Sequence, residues 1–196
     1  VKISPFFNGD KIVFYEFYIL LAQAVEEAGF KEATPVQIAT FEAALSGEDV
    51  FVSAETGSGK TAAYLLPIFE HLLQNENHHE IQALVLVPTR ELAQQVLKQA
   101  KVLARLTHIT LGHIGGGTDI KKQTKLVEEP ANFIVATPGR LLELMARDLI
   151  DLEFVQILVL DEADRLLDMG FSEDILAIAS HCEQRIHSHF FSATLA

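Results

Sequence analysis

The stretch that decides the fold is Val50-Phe51-Val52-Ser53-Ala54-Glu55-Thr56-Gly57-Ser58-Gly59-Lys60-Thr61. A short apolar segment typical of a buried strand leads through two glycines into an apolar-periodic helix, predicted over 60–73. Residues 54–61 nearly match the pattern G-x-x-x-x-G-K-[ST], with Ala54 in place of the first glycine. The two glycines let successive backbone N–H groups point at one anion, while Lys60 reaches phosphate and Thr61 offers a hydroxyl to Mg²⁺. The sequence therefore predicts a phosphate-binding loop.

A second interpretation of this stretch is a dinucleotide site, because residues 57–62 also fit the fingerprint G-x-G-x-x-A. That fingerprint requires an acidic residue after the next strand, about 20 residues on. Glu80 lies near that distance but precedes the next predicted strand, 83–87. The fingerprint also gives no role to Lys60 and Thr61, so we favour the phosphate loop.

Apolar strands and amphipathic helices alternate along the rest of the chain. Strands are predicted at 50–52, 83–87, 107–114, 133–136, 157–160 and 188–192, and helices at 20–28, 35–45, 60–73, 90–106, 119–127, 141–146 and 172–180. The third helix is expected to kink or break near Pro67. Continuously apolar strands separated by helices are typical of a parallel sheet covered on both faces. We therefore predict one α/β domain over 1–196, with a mostly parallel central sheet and helices on both faces.

An acidic segment, Asp161-Glu162-Ala163-Asp164, directly follows the predicted strand 157–160. Because the carboxyl ends of parallel strands share one edge of the sheet, Asp161 is expected beside the loop at 54–61. Asp161 suits Mg²⁺, largely through water, and Glu162 suits orienting or deprotonating an attacking water. Acidic residues that merely complement a helix dipole are the alternative, which the neighbouring phosphate loop disfavours.

Composition excludes several classes of protein. The 196 residues are 49% hydrophobic and 21% charged, which is ordinary for a globular domain, and the single cysteine cannot form an intrachain disulfide. With 15 basic and 27 acidic residues, the net charge of −12 argues against nucleic-acid binding through bulk positive charge. Residues 12–21 imitate a secretory signal, but Glu16 interrupts the apolar run. We therefore expect a cytoplasmic protein with no membrane partner.

Further short segments accompany the phosphate loop and the acidic segment in a fixed order. They are Gly29-Phe30 with Ala33-Thr34-Pro35-Val36-Gln37, then Pro88-Thr89-Arg90-Glu91-Leu92-Ala93, Gly115-Gly116, Thr137-Pro138-Gly139-Arg140 and Ser192-Ala193-Thr194. From about residue 14 to the end, the chain resembles the DEAD-box ATP-dependent RNA helicases. The resemblance implies a RecA-like P-loop fold, the first of two such domains, and a C-terminal helicase domain in cis that this chain lacks.

The resemblance also implies ATP and Mg²⁺ as cofactors and an ATP site that includes Gln37 and residues 54–61. The amide of Gln37 carries both a donor and an acceptor, as the N6/N7 edge of adenine requires. The family usually has an aromatic residue 18 positions before Phe30, where this chain has Ile12. Phe14 is the predicted adenine contact, and Phe17 stays open as the alternative.

The remaining motif residues are implied to act in catalysis, RNA binding or coupling. Lys60, Asp161 and Glu162 would be catalytic, and Asp164, Ser192 and Thr194 would couple the nucleotide side to the RNA side. RNA would be held through its backbone, independently of sequence, at strand-to-helix turns and glycines that permit close approach. The RNA-binding residues would be Pro88, Thr89, Arg90, Gly115, Gly116, Thr137 and Arg140.

The leading hypothesis is thus half of an enzyme that unwinds RNA or remodels ribonucleoprotein. As a monomer lacking the second domain's arginines, it is expected to bind adenine nucleotide with little turnover. An RNA clamp gated by nucleotide and an ATPase acting on something other than RNA are the alternatives. A zinc site at His181, Cys182, His187 and His189 is disfavoured, because the spacing matches no familiar finger.

Overall fold

The computed structural model describes residues 19–74, 80–117 and 131–193. Six strands form one sheet in which every pairing is parallel, in the order β1-β6-β5-β2-β4-β3. The strands are β1 (Val50–Ser53), β2 (Ala83–Leu86), β3 (Leu111–Ile114), β4 (Phe133–Ala136), β5 (Ile157–Asp161) and β6 (His187–Ser192). The helices are α1 (Ile19–Glu27), α2 (Pro35–Ser46), α3 (Lys60–Gln74), α4 (Arg90–Ala104), α5 (Pro138–Met145), α6 (Ala163–Asp168) and α7 (Ser172–Ser180). The predicted α/β class is confirmed.

Three interior strands are apolar except for Asp161 at the end of β5, because both faces of the sheet are covered. Every residue of β2, β4 and β5 is buried. Successive side chains point to opposite faces, so Phe133 and Val135 of β4 join the core cluster beneath α1 to α4, while Ile134 joins the cluster beneath α5 to α7. Two cores separated by one sheet are the physical reason that these strands lack the alternating pattern of a half-exposed strand.

Helix α2 begins and ends where its sequence signals predict. The Thr34 side chain accepts a hydrogen bond from the Gln37 backbone N–H, and the Gln37 side chain accepts one from Thr34 N–H, which completes a capping box. Pro35 occupies the first turn, and Gly47 ends the helix in the left-handed region, at φ 82°. This cap fixes the orientation of Gln37, which the site uses.

Helix α3 continues through Pro67, so the break that was one of the two predicted outcomes is absent. Proline removes one backbone hydrogen bond and crowds the preceding turn. Residues 62–70 are all buried beneath the sheet, and the packing of this apolar stretch outweighs the local cost of the proline.

The segment between α4 and β3 also differs from prediction. The strand begins at Leu111 instead of residue 107, since Thr107 forms a turn in which its N–H and its hydroxyl both donate to the Ala104 carbonyl, at 2.9 and 2.7 Å. Sequence patterns did not predict α6, and the predicted helix at 119–127 lies outside the described residues. Among the helices of the described ranges, none is long and apolar enough to cross a membrane.

Candidate nucleotide and RNA site

The candidate site lies along the carboxyl edge of the sheet, where the topology separates two groups of residues. The phosphate loop follows β1, Ser192 ends β6 and Asp161 ends β5, and these three strands are neighbours. The predicted RNA-side segments follow β2, β4 and β3, which form the other half of the sheet. The predicted nucleotide residues and RNA residues therefore share one edge and meet between β5 and β2.

The phosphate loop takes its shape from glycines in left-handed conformations. Gly57 has φ 83° and Gly59 has φ 96°. A Cβ on Gly59 would lie 2.7 Å from Gln37 Nε2 and 2.9 Å from Thr34 Oγ1, so a larger residue there would force these two side chains to move. A Cβ on Gly57 would meet nothing within 4 Å, so glycine is favoured at this position only because of its left-handed backbone conformation.

Lys60 lies folded against the loop that precedes it. Its Nζ donates to the Ala54 carbonyl at 2.6 Å and to the Ser192 carbonyl at 3.4 Å. The Ala54 N–H in turn donates to the Ser192 carbonyl at 3.1 Å. These contacts join the phosphate loop to the end of β6, and they hold an ammonium group at the N-terminus of α3, where an anion is favoured.

Gln37 is buried, at 1% exposure, between its own helix cap and the phosphate loop. Its Oε1 accepts from Thr34 N–H at 2.9 Å, and its Nε2 donates to the Gly59 carbonyl at 3.2 Å. The predicted adenine residue is therefore also a structural link between α2 and the loop.

The Asp161 carboxylate, on a residue 4% exposed, has both oxygens engaged. Oδ2 accepts from the Tyr64 hydroxyl at 2.8 Å, and Oδ1 accepts from the Glu162 N–H at 2.9 Å. Burial raises the pKa of Asp161, while the hydrogen bonds from Tyr64 and Glu162 and the charge of Lys60 oppose the rise. Burial, followed by the charge of Asp161, raises the pKa of the Tyr64 hydroxyl well above its usual value, so this hydroxyl is a permanent donor.

Glu162 stands at the turn between β5 and α6 in a left-handed conformation, with φ 51° and ψ 50°. A non-glycine residue in this region is uncommon and marks a constrained position. Its Oε2 accepts from Arg165 Nη1 at 3.1 Å, across one turn of α6. The Glu162 side chain is 28% exposed, so its carboxylate is accessible to water.

The residues around Asp161 fit a magnesium ion. Thr61 lies in the first turn of α3, one turn before Tyr64, whose hydroxyl donates to Asp161, so the predicted hydroxyl and carboxylate ligands flank the same side chain. Carboxylate and hydroxyl oxygens are hard donors of the kind that Mg²⁺ prefers. Thr61 and Asp161 are thus the residues that would hold the ion, with water completing its shell.

On the other half of the edge, Arg90 lies against the glycine turn that follows β3. Thr89 caps α4 by accepting from Leu92 N–H at 3.2 Å, and Pro88 before it is buried. Arg90 is exposed, and its Nη1 lies 3.5 Å from the Gly116 carbonyl. A Cβ on Gly117 would come within 2.6 Å of that nitrogen. The structure therefore brings the first predicted RNA segment together with the double glycine, in which Gly116 is exposed.

Thr137 and Arg140 stand at the start of α5, beside that turn. The Thr137 N–H donates to the Ile114 carbonyl at 2.9 Å, while its side chain makes no capping hydrogen bond. Arg140 forms an ion pair with Glu143 at 2.6 Å, and Arg147 reaches the same carboxylate at 2.9 Å. The hydrogen bond from Arg140, followed by the positive charges of Arg140 and Arg147, lowers the pKa of Glu143.

Several predicted residues are not brought into the site or lie outside the described residues. Phe14, its alternative Phe17, and Thr194 lie outside them. Asp164 follows Glu162 on the first turn of α6, where its Oδ1 accepts from the Arg165 N–H at 2.9 Å. Within the described ranges, no group of three or more His, Cys, Asp or Glu side chains is arranged to hold a metal ion.

Sequence analysis missed Tyr64 and Arg165, which contact the two central carboxylates. Tyr64 has a usable signal, because it carries the one hydroxyl in the apolar run 62–69 and lies four residues after Lys60. That spacing places it on the same helix face as the lysine. Arg165 has the same type of signal, three residues after Glu162.

Comparison with known proteins agrees with this geometry. The model of the DEAD/DEAH box helicase family matches residues 34–196. The chain is 44% identical over 177 residues to the ATP-dependent RNA helicase SrmB of Escherichia coli, and the match covers 89% of this chain and 40% of that protein. It is 45% identical over 176 residues to the DEAD-box ATP-dependent RNA helicase CshA of Streptococcus pneumoniae, covering 90% of this chain and 33% of the relative.

A solved structure gives the same result. The crystal structure of a hypothetical ATP-dependent RNA helicase from Sulfolobus tokodaii superposes with a TM-score of 0.82 at 40% identity. The match covers 89% of this chain and 50% of that one, so the chain spans half or less of each protein compared here. The chain belongs to the DEAD/DEAH box helicase family, and its fold is that of the N-terminal RecA-like domain.

Proposed function

We propose that this chain is the N-terminal ATP- and RNA-binding domain of an ATP-dependent RNA helicase, which unwinds RNA duplexes or remodels ribonucleoprotein when joined to a second domain. The observation that carries the proposal is the division of the sheet edge. The predicted phosphate and magnesium residues follow β1, β6 and β5, and the predicted RNA residues follow β2, β4 and β3. Relatives that share 44–45% of the aligned residues are ATP-dependent RNA helicases, which supports the same activity here.

On the nucleotide side, the loop N–H groups and Lys60 would hold the ATP phosphates at the start of α3. Thr61 and Asp161 would hold Mg²⁺, largely through water, and the ion would neutralise charge on the phosphate oxygens. Glu162 would orient the attacking water, because it projects beside Asp161 from a constrained turn. The Gln37 amide uses one N–H of Nε2 and one lone pair of Oε1 in its hydrogen bonds within the protein. The second N–H and the second lone pair would contact adenine.

On the RNA side, the exposed Arg90 and the turn at Gly115 and Gly116 would contact the sugar-phosphate backbone, together with Thr137 and Arg140. Contacts of this kind carry no sequence information, which matches a helicase that acts on many RNAs. Asp164, Ser192 and Thr194 would couple the two halves. The Lys60–Ser192 contact supports this role, since it joins the phosphate loop to the segment that ends β6.

The second domain would supply arginines that complete the ATP site, an effect worth about 10³–10⁵ in the rate of phosphoryl transfer. The 196 residues on their own are therefore expected to be a monomer that binds adenine nucleotide and turns it over very slowly. We also propose a cytoplasmic location, in keeping with a sequence pI near 5.0.

The experiment that tests this function measures the binding of a fluorescent ADP analogue with Mg²⁺, and then ATP hydrolysis with and without single-stranded RNA. Binding with negligible turnover is the expected result for the 196 residues, and RNA-stimulated turnover is expected once the second domain is present. RNA-stimulated turnover by the 196 residues alone would contradict the need for a second domain. A duplex-release assay on the two-domain protein separates a helicase from a nucleotide-gated clamp, since both use the same residues.

A further inference from the structure

Tyr64 lies inside α3 at the point where the phosphate loop, β5 and β6 meet. It follows Thr61 by three residues and is fully buried, with 0% exposure. A buried phenol needs a partner for its hydroxyl, and this one finds it in the carboxylate of Asp161. The buried Tyr64 hydroxyl therefore donates to one specific acceptor, the Asp161 carboxylate.

The hydrogen bond to Asp161 leaves that carboxylate little freedom to rotate. The Tyr64 hydroxyl lies 2.8 Å from Oδ2, while the Glu162 N–H lies 2.9 Å from Oδ1. Two donors, one for each oxygen, define the plane of the carboxylate. Loss of the phenolic donor would leave only the backbone N–H to orient it.

The phenol ring is itself held in place by β6. The rings of Tyr64 and Phe191 meet edge to face, with centroids 5.1 Å apart and an interplanar angle of 63°. Phe191 is 1% exposed and pairs with Asp161 in the register of β5 and β6. The Tyr64 hydroxyl is thus held in position by the packing of its own ring against Phe191.

We propose that Tyr64 is a positioning residue for the magnesium site, which orients the Asp161 carboxylate toward a Mg²⁺–nucleotide complex. The inference rests on the proposed function, and it adds a residue of α3 to that site. Thr61 precedes Tyr64 by one turn on the same face of α3, so the phenol lies next to both residues that would hold the ion. Outer partners of metal ligands typically change metal affinity by about 10–100-fold when they are removed.

The test compares the wild-type chain with Tyr64→Phe, which keeps the ring on Phe191 and removes only the hydroxyl. Binding of a fluorescent ADP analogue is measured in EDTA and over a titration of Mg²⁺. We expect the Mg²⁺ concentration at half-maximal effect to rise about tenfold in the variant, with nucleotide affinity in EDTA unchanged. An unchanged Mg²⁺ dependence, or an equal loss of affinity with and without Mg²⁺, overturns the inference.

A double-mutant cycle separates positioning from simple packing. In an Asp161→Asn background, Tyr64→Phe is expected to add little, because the carboxylate through which it acts is gone. Additive effects of the two changes on the Mg²⁺ dependence would overturn the proposal. The packing control is Phe69→Leu, since Phe69 is a buried ring of the same helix that packs on Phe133. It is expected to lower thermal stability without moving the Mg²⁺ dependence.

The same data test the proposed function independently. If the folded wild-type chain binds no adenine nucleotide with or without Mg²⁺, the proposed function fails and this inference fails with it. If the wild-type chain shows Mg²⁺-dependent binding and Tyr64→Phe matches it at every Mg²⁺ concentration, only the inference about Tyr64 fails.

Discussion

The side chain of Gln37, on α2, donates a hydrogen bond to the carbonyl oxygen of Gly59 at 3.2 Å, although strand β1 separates α2 from the phosphate loop along the chain. The same glycine stands so close to Gln37 that a Cβ would lie 2.7 Å from its Nε2. The capping box of α2 and the shape of the loop are therefore one structural unit.

This relationship predicts different results for the two glycines of the loop. Gly59→Ala combines a left-handed backbone with a clash against Gln37 and Thr34, so it should abolish nucleotide binding. Gly57→Ala carries only the backbone cost, about 1–2 kcal/mol, and should weaken binding modestly. Titration of both variants with a fluorescent ADP analogue measures the difference. Equal losses would mean that contact with Gln37 does not shape the loop.

The contacts of Lys60 and Glu162 predict separable defects in the two-domain protein. Lys60→Ala removes the cation at the start of α3 and should abolish both nucleotide binding and RNA-stimulated hydrolysis. Glu162→Gln keeps the shape of the side chain and should preserve binding while it lowers hydrolysis at least about 100-fold. Steady-state ATP hydrolysis and ADP binding, measured on both variants, show whether binding and hydrolysis are lost together or separately. Hydrolysis retained in either variant would contradict the assignment of the site.

Arg140 and Arg147 both form ion pairs with Glu143, so one can be tested for RNA binding with the other as its control. Arg140 pairs with Glu143 at the start of α5, with its side chain 11% exposed, whereas the Arg147 side chain is 54% exposed one helix turn beyond that carboxylate. Arg140→Ala should weaken RNA binding and reduce the slope of log affinity against log salt by about 1. Arg147→Ala should leave the slope unchanged. Fluorescence anisotropy with single-stranded RNA at several salt concentrations provides the measurement, and equal effects would exclude a specific role for Arg140.

His189 predicts a pH dependence of stability that is unrelated to the site. It is 1% exposed on β6, and neither ring nitrogen has a hydrogen-bond partner among the described residues. Burial, followed by the charge of His187, lowers the pKa of His189 to about 4. The unfolded chain, with a pKa of about 6.5, therefore binds a proton that the folded chain excludes, and stability falls as the pH drops from about 6.5 toward 4. The expected loss from this residue is about 3 kcal/mol.

The variant His189→Leu tests this directly. At pH 7 it should stabilise the chain by about 1–2 kcal/mol, because it replaces two buried polar atoms that lack partners. Its stability should also fall less steeply on acidification than that of the wild type. Urea unfolding at pH 7.5, 6 and 5 compares the two proteins, and parallel curves would show that His189 is not the titrating group.

Much of the fold follows from local patterns in the sequence. The fully apolar runs at 133–136 and 157–160 are long enough for strands and too short for most helices, and they lie on a sheet covered on both sides. Thr34, Pro35 and Gly47 define the ends of α2 because capping depends on the nearest few residues. Pro67 shows the limit of such rules, since burial of the whole stretch keeps α3 intact.

The sequence by itself identified the candidate motifs of this protein: the phosphate loop at 54–61, the acidic segment at 161–164 and the predicted RNA-side segments in their order along the chain. Each of these motifs acts through residues that lie close together along the chain, so their spacing is visible without a structure. The tertiary structure alone decided the order of the motifs along the sheet edge, because the strand order places β6 between β1 and β5. It also decided that Tyr64 reaches Asp161 across 97 positions in sequence, a contact made by packing between α3 and the sheet.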